Sequence, residues 1–358
     1  MSTSTYSISE LSYTQKALAS NAPTTSSSAS QPLLRADGRR PLSFRDIILT
    51  TNVSQAQGAV GSALACLDDL GGQSQVMAAV RAEVEDVRTG EDEQPITSGN
   101  GGMTISIECS PTALPTLRPD LLPHLSALLT SLFSPSNLPP SLLSQLIIIP
   151  HSKTWSLKLD LLILSSQGGN IIDLVLVAAR SALATTRLPR TRAVEYRAPP
   201  LKSGNVSVSA AVGEEEEEEE EGGWETGLGP ESGTIESGFA GLVKGGKGGS
   251  KAMDFELVQS HDVRIIEGQE VEEEDRDGVR LSGWRELPIG LSLHLINQLP
   301  FLDPTTLEEA TIEASLLVSF QHQGQVCAIQ MVGQGEVEVG RLMGLIKVRS
   351  LPGLGFEL

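Results

Sequence analysis

Four short stretches of the sequence hold the residue types that grip anions, hold cations or move protons. Arg35-Ala-Asp-Gly-Arg39 sets two arginines around an Asp-Gly turn signal. Gly168-Gly169-Asn170-Ile171-Ile172-Asp173 follows the apolar run Trp155–Leu164, and Thr186-Arg187-Leu188-Pro189-Arg190 comes soon after. Asp303-Pro304-Thr305-Thr306-Leu307-Glu308-Glu309 then runs into Ala314–Val318. Arginines can hold a phosphate, and grouped carboxylates can hold a divalent ion or move a proton. The acidic stretch also has a plainer reading. Thr305 and Thr306 each precede a glutamate by three residues, the pattern of a capping box, and Pro304 fixes the chain direction into it. On that reading, which is favoured, Glu308 and Glu309 serve a helix end and Asp303 ends a strand.

Other chemical signals carry little. Gly241–Gly248 nearly spells a phosphate-binding loop, but its last position is Gly248 rather than Ser or Thr, within low-complexity sequence. The histidines His124, His151, His261, His294 and His322 show no metal-ligand spacing. Cys66, Cys109 and Cys327 form no CxxC pair, which excludes a thiolate zinc site and a disulfide scaffold and fits a reducing compartment. No metal and no cofactor is expected.

These stretches need elements to position them. The patterning predicts strands at Asp46–Val53, Val76–Val87, Met103–Cys109, Leu142–Ile149 and Trp155–Leu164. Helices are predicted at Asp120–Phe133, with Leu121, Leu125, Leu128 and Leu132 on one face, and at Asn170–Leu183, apolar nearly all round and therefore central. Strands resume at Phe255–Val258, Leu287–Leu295, Ala314–Phe320 and Val326–Met331, the last two around a Gln323-Gly324 turn. A final helix spaces Val339, Leu342, Met343 and Ile346. The fold class is α+β, with two strand-rich halves over 33–199 and 253–350.

The net charge of −19 is unevenly placed. Residues 201–283 hold 21 acidic and 7 basic residues, a net of −14, so the remainder is only mildly acidic. Overall charge therefore gives no argument against a nucleic-acid partner. The Glu214–Glu221 run and the Gly/Ser/Lys tract after it read as a disordered insertion over 200–252, followed by an acidic loop over 267–283. Residues 1–31 carry 15 Ser/Thr and read as an extension with a short amphipathic helix over Ile8–Leu18, lacking the apolar core of a secretory leader and the arginines of a transit peptide. No stretch reaches the ~20 apolar residues of a membrane span.

Taken in order and at these separations, the four stretches resemble the RNase PH-like ring subunits of the RNA exosome, from about Leu33 to Ile346 apart from the insertions. The Asp-Pro-Thr motif, the Gly-Gly-Asn helix start and Thr-Arg-Leu-Pro-Arg look most like a non-catalytic subunit. Active members of that family use inorganic phosphate to attack an RNA 3′ end. They follow the glycine pair with Thr-Arg, the arginine gripping phosphate, where this chain has Asn170 and Ile171. They carry two aspartates six residues apart, where this chain has Asp303 and Glu309, and a third aspartate where it has Ser315. The extra methylene of Glu309 shifts its carboxylate by ~1 Å, enough to cost ~100-fold in a tight site. Active members also carry arginines on the first-half helix; Asp120–Phe133 has none and only Arg118 lies before it.

The resemblance thus implies a catalytically silent RNase PH-like fold, with Asp303, Glu309 and Ile171 as degenerate site positions. Its partners would be other ring subunits, RNA-binding cap subunits and single-stranded RNA, in nucleus, nucleolus and cytoplasm. Its role would be structural and RNA-guiding, in 3′-to-5′ processing and decay. Arg187, Arg190 and Arg192, with Arg197, are candidate phosphate-backbone contacts, unless they pair with carboxylates of this fold or of a neighbour. Leu121, Leu125, Leu128 and Leu132 are candidate interface residues, because that helix is more apolar than one buried face requires. Two other readings stay open: a divergent phosphate-dependent exoribonuclease, and an acidic adaptor that binds basic proteins through its glutamate run.

Overall fold

The structure is a computed structural model. It describes residues 6–19, 35–86 apart from 55, 70 and 71, 102–197 apart from 116, 118, 119 and 151, and 251–258, 265–266, 269–270 and 278–333 apart from 297, 298, 313 and 322–324. The glutamate run, the Gln323-Gly324 turn, Arg118 and the helix expected over Val339–Ile346 lie outside the described residues.

An N-terminal helix α1 (Ile8–Ala19) precedes β1 (Ile47–Thr51), β2 (Gly61–Asp69), β3 (Gly72–Asp86) and β4 (Gly102–Cys109). Then come α2 (Leu121–Leu132), α3 (Pro140–Gln145), β5 (Ile147–Ile149), β6 (Lys153–Ser166) and α4 (Ile171–Thr185). Short strands β7 (Arg187–Leu188), β8 (Thr191–Arg197), β9 (Lys251–Leu257), β10 (Ile265–Ile266), β11 (Gln269–Glu270) and β12 (Val279–Arg280) follow. The second half holds β13 (Ile289–Ile296), β14 (Leu299–Phe301), α5 (Thr306–Glu309), β15 (Ala314–Phe320) and β16 (Val326–Gly333).

The first sheet runs β1-β2-β3-β6-β4, with β5 also on β6, and only β4 pairs parallel. The second runs β14-β13-β15-β16, all antiparallel. The chain divides into two compact units, 1–191 with 257–358, and 192–256. Both sheets belong to the first. In the second, the described residues lie in β8 and β9, which pair with each other.

Strict alternation explains why one face of the large sheet is core. Ala63, Ala65 and Leu67 on β2, Val76, Ala78 and Val80 on β3, and Leu157, Leu159, Leu161 and Ile163 on β6 are all buried. Helix α4, apolar nearly all round, lies in the same core through Leu174, Val175, Ala178, Ala179 and Ala182.

Strand β2 was not legible as a strand, because its small residues have weak β-propensity. Packing selects them: a Cβ on Gly61 would come within 2.5 Å of Thr186 Oγ1 and 2.7 Å of the Ala182 carbonyl. Leu142–Ile149 is only partly a strand. Pro140 stands in the first turn of α3, which takes Leu142–Gln145, and the strand starts at Ile147. Gly278–Gly283, expected to end an acidic loop, contributes β12 and the fully buried Leu281. The expected interface leucines are a further correction. Leu121, Leu125, Leu128 and Leu132 are buried in this chain's own core, so the extra apolar surface of α2 is consumed within the fold.

Candidate functional site

The Gly168-Gly169-Asn170 turn delivers β6 into α4, and two of its residues are left-handed, Gly169 at φ 75° and Asn170 at φ 50°. Asn170 therefore starts the helix without capping it through its side chain. Its backbone N–H instead donates to Glu309 Oε1 at 2.6 Å, which puts a carboxylate against the positive end of the α4 dipole. The Asn170 amide donates to Asp303 Oδ1 at 2.8 Å. A Cβ on Gly169 would lie 2.8 Å from the Thr306 nitrogen and 2.9 Å from the Pro304 carbonyl. Gly169→Ala is therefore expected to destabilise the chain by more than the ~1–2 kcal/mol of a left-handed non-glycine residue, since backbone stands in the way. Urea unfolding checks this against Gly102→Ala, where no neighbour lies within 4 Å.

Asp303 is the hub. It too is left-handed, at φ 52°, and its side chain is fully buried. Arg45 grips it with Nε to Oδ2 and Nη2 to Oδ1, both 2.8 Å, and its backbone N–H donates to Oδ2 at 2.8 Å. The same guanidinium donates to the Gly168 carbonyl at 2.7 Å and the Pro304 carbonyl at 3.0 Å, stitching the first half to the second. Arg39 adds Nη1 to Oδ2 at 2.5 Å. Burial pushes the Asp303 carboxyl up, but the hydrogen bonds and charge of Arg45, with the charge of Arg39, outweigh it and hold the group below the usual range.

The Arg35–Arg39 turn folds around Gly38, at φ 81°, and drives Arg35 inward. Its buried guanidinium pairs side-on with Glu308, Nε to Oε1 at 3.0 Å and Nη2 to Oε2, and donates to the carbonyls of Leu302 at 2.7 Å and Asp303 at 2.9 Å. Glu308 also completes a capping box with Thr305 on α5. The structural reading of the acidic motif thus describes Glu308 and Thr305. Thr306 does not repeat it, donating to the Gln167 carbonyl at 2.6 Å.

Beside this clamp, Asp173 is buried in the first turn of α4. Its Oδ1 accepts from the Ser292 N–H on β13 at 2.7 Å, and its Oδ2 has no partner among the described residues. Burial, helped by the Asp303 charge, pushes its carboxyl up to about 7 against the donors of Ser292 and Asn170. Ser292 Oγ and Ser315 Oγ hold the two ring nitrogens of buried His294, at 3.1 and 2.9 Å.

The structure brings Asp303 and Glu309 together on Asn170, while Ile171 is buried in the core. Arg187 and Arg190 lie apart from them, half-buried along β7 and its exit, and Arg192 is exposed at the start of the second unit. The side chain of Arg197 lies outside the described residues. Sequence reasoning missed Arg45, which no motif contains; the one signal is an arginine next to Asp46 just before a strand.

Comparison with known proteins agrees with this architecture. Residues 43–189 match domain 1 of the RNase PH 3′ exoribonuclease family, and residues 286–349 match domain 2. The chain is 34% identical over 159 residues to the exosome complex component Rrp42 of Sulfurisphaera tokodaii, covering 44% of this chain and 53% of the relative. It is 30% identical over 161 residues to the Rrp42 of Thermoplasma volcanium, covering 44% and 56%. It thus spans about half the length of the curated relatives it matches. Among solved structures it is similar to a chain of an Archaeoglobus fulgidus exosome with RNA bound to the active site, with TM-score 0.57, 19% identity, 95% of this chain and 92% of that one covered. An archaeal exosome core gives TM-score 0.54, 18% identity and coverage of 95% and 91%. At those identities the likeness is one of fold.

Proposed function

The chain belongs to the RNase PH 3′ exoribonuclease family, and from that premise we propose that it is a non-catalytic, RNA-guiding subunit of an exosome-type ring. The observation that carries the reading is the consumption of Asp303. Both its oxygens are taken by Arg45, Arg39 and Asn170 of the same chain, so the carboxylate is a structural tie between the halves and not a group facing substrate.

Two further observations support it. The residue after Asn170 in the helix turn is buried Ile171, which offers a phosphate trianion no charge. Glu309 is bonded to the α4 N-terminus, so the helix-end donor that could have substituted for a guanidinium is already occupied by an anion. Phosphorolysis needs a docked phosphate, and the donors gathered here are already bonded to carboxylates of the same chain.

Assembly is supported by strand edges. Among the described residues β1, β4 and β16 each have a sheet neighbour on one side, and Ile48 on β1 and Ile329 and Met331 on β16 are exposed. Such edges suit heterologous contacts around a ring. The family match favours this over the adaptor reading, because it covers 43–189 and 286–349 and not the glutamate run.

The purified chain, given single-stranded RNA and inorganic phosphate, is expected to release no nucleoside diphosphates, and the tagged chain to copurify with several RNase PH-like chains. Shortened RNA with diphosphate release from the chain alone would overturn the catalytic part. A monomer with no ring partner by mass spectrometry would overturn the assembly part.

A further inference from the structure

Outside the clamp, Arg180, Arg280 and Arg285 have no carboxylate partner among the described residues. In the β7–β12 pair, Arg280 is directly opposite Arg187. Beyond β12, a 3₁₀ turn over Trp284–Glu286 sets the Trp284 ring against two guanidiniums, Arg280 at 4.9 Å and Arg285 at 5.3 Å from its centroid. Both arginines are exposed. Arg280 is fixed further by Nε donating to the Ala184 carbonyl at 3.0 Å. Arg180 of α4 is 9% exposed and donates to the Arg285 carbonyl at 3.2 Å, and its Nε has no partner among the described residues.

None of Arg180, Arg280 and Arg285 forms an ion pair among the described residues, although Glu286 is next to Arg285 in sequence. A buried, unpaired guanidinium is costly, and burial does lower the Arg180 pKa.

We propose that Arg280 and Arg285, ordered by Trp284 and backed by Arg180, form a docking patch for the phosphodiester backbone of single-stranded RNA. The proposal rests on the RNA-guiding reading and gives it a place on the chain. Guanidinium forks match phosphate oxygens two at a time. Arginine normally loses rotamer freedom when it binds, and here the indole has already removed part of it, so less is lost on contact. A guanidinium lying on an indole also offers its outer face to a base, which a backbone alone would not use. Two guanidiniums held on one ring can each take a different phosphate, which suits a chain of phosphates more than one phosphate ion.

The test uses the full chain and a fluorescein-labelled oligouridylate of about 12 nucleotides, titrated over a salt series by anisotropy. The double variant Arg280→Ala/Arg285→Ala, both exposed positions, is expected to weaken binding and to reduce the slope of log K on log salt by about 1.4, from ~0.7 per single-strand phosphate contact. Trp284→Leu should weaken binding several-fold with the slope unchanged, since the charges stay while their ordering is lost. Arg81→Ala, whose guanidinium pairs with Asp160 at 2.7 Å on the large sheet, is the control and should change neither. An unchanged slope in the double variant overturns the patch. So does an octaglutamate peptide that displaces the RNA at equal charge concentration, which would mark the patch as a seat for acidic peptide. Copurification of the double variant with ring-type partners is scored separately: loss of RNA binding with partners retained supports the patch, and partners retained with RNA binding intact removes the patch and leaves the ring reading standing.

Discussion

Asp303→Ala is expected to lower the stability of the chain by about 3–5 kcal/mol, the cost of breaking a buried ion pair from one side. The side chain is fully buried, and its removal strands the Arg45 and Arg39 donors that converge on it, together with the Asn170 amide. Asp303→Asn should also be strongly destabilising. Oδ2 accepts three donors and Oδ1 two, so an amide NH₂ at either position would face N–H groups. By contrast Thr305→Ala removes one capping hydroxyl and should cost about 1 kcal/mol. Urea midpoints of the three variants decide it. A loss under about 1 kcal/mol for Asp303→Ala would mean that the carboxylate is not the tie between halves, and would reopen the case for a chemical role. The acid limb adds a check. The folded-state pKa of Asp303 lies below its unfolded value, so its contribution is fully present above about pH 4 and is lost as pH falls through the folded value. The variant should therefore lose part of the acid sensitivity of the parent.

The sequence made some of this legible and hid the rest for identifiable reasons. The period-2 run of β6 and the all-round apolar α4 were plain because burial on a sheet face and burial in a centre leave different periodicities. The capping box was readable because both of its partners lie within one turn. β2 was hidden because close approach of α4 selects glycine and alanine, which carry no strand signal. The apolar face of α2 was read as surplus because a sequence shows how much surface a helix must bury but not how many neighbours it will have. The clamp lies furthest from reach. Arg45 and Asp303 are 258 residues apart, and nothing local to Arg45 announces a carboxylate on the other half. The same holds for the arginine patch, where Arg280 and Arg285 acquire meaning only through the Trp284 ring that both lie against.

Asp173→Asn is expected to stabilise the chain above neutral pH, an unusual direction for a change in a buried site. With its carboxyl pushed up to about 7, Asp173 holds a proton in the folded state across a range where the unfolded chain has already released it. The folded state then binds more protons than the unfolded one between about pH 4 and pH 7, so stability falls as pH rises through that window and levels off above it. At ~1.4 kcal/mol per pH unit, the accumulated penalty at pH 8 is on the order of 4 kcal/mol. Asparagine escapes it. Its carbonyl can keep the Ser292 N–H, now 2.7 Å from Oδ1, and its amide is a donor where Asp173 Oδ2 and Asn170 Oδ1 are both buried acceptors without a partner among the described residues. The variant should therefore be about equal to the parent at about pH 4 and below, where folded and unfolded parent both carry the proton, and more stable by several kcal/mol at pH 8. Chemical unfolding at the two pH values measures this directly, and equal differences at both would show that Asp173 does not titrate in the fold. Asp303 sharpens the test, because its charge is one of the causes that raise Asp173. In an Asp303→Asn background the pH window of Asp173 should move toward lower pH, which ties the titration to this junction of the two halves and not to carboxylates elsewhere on the chain.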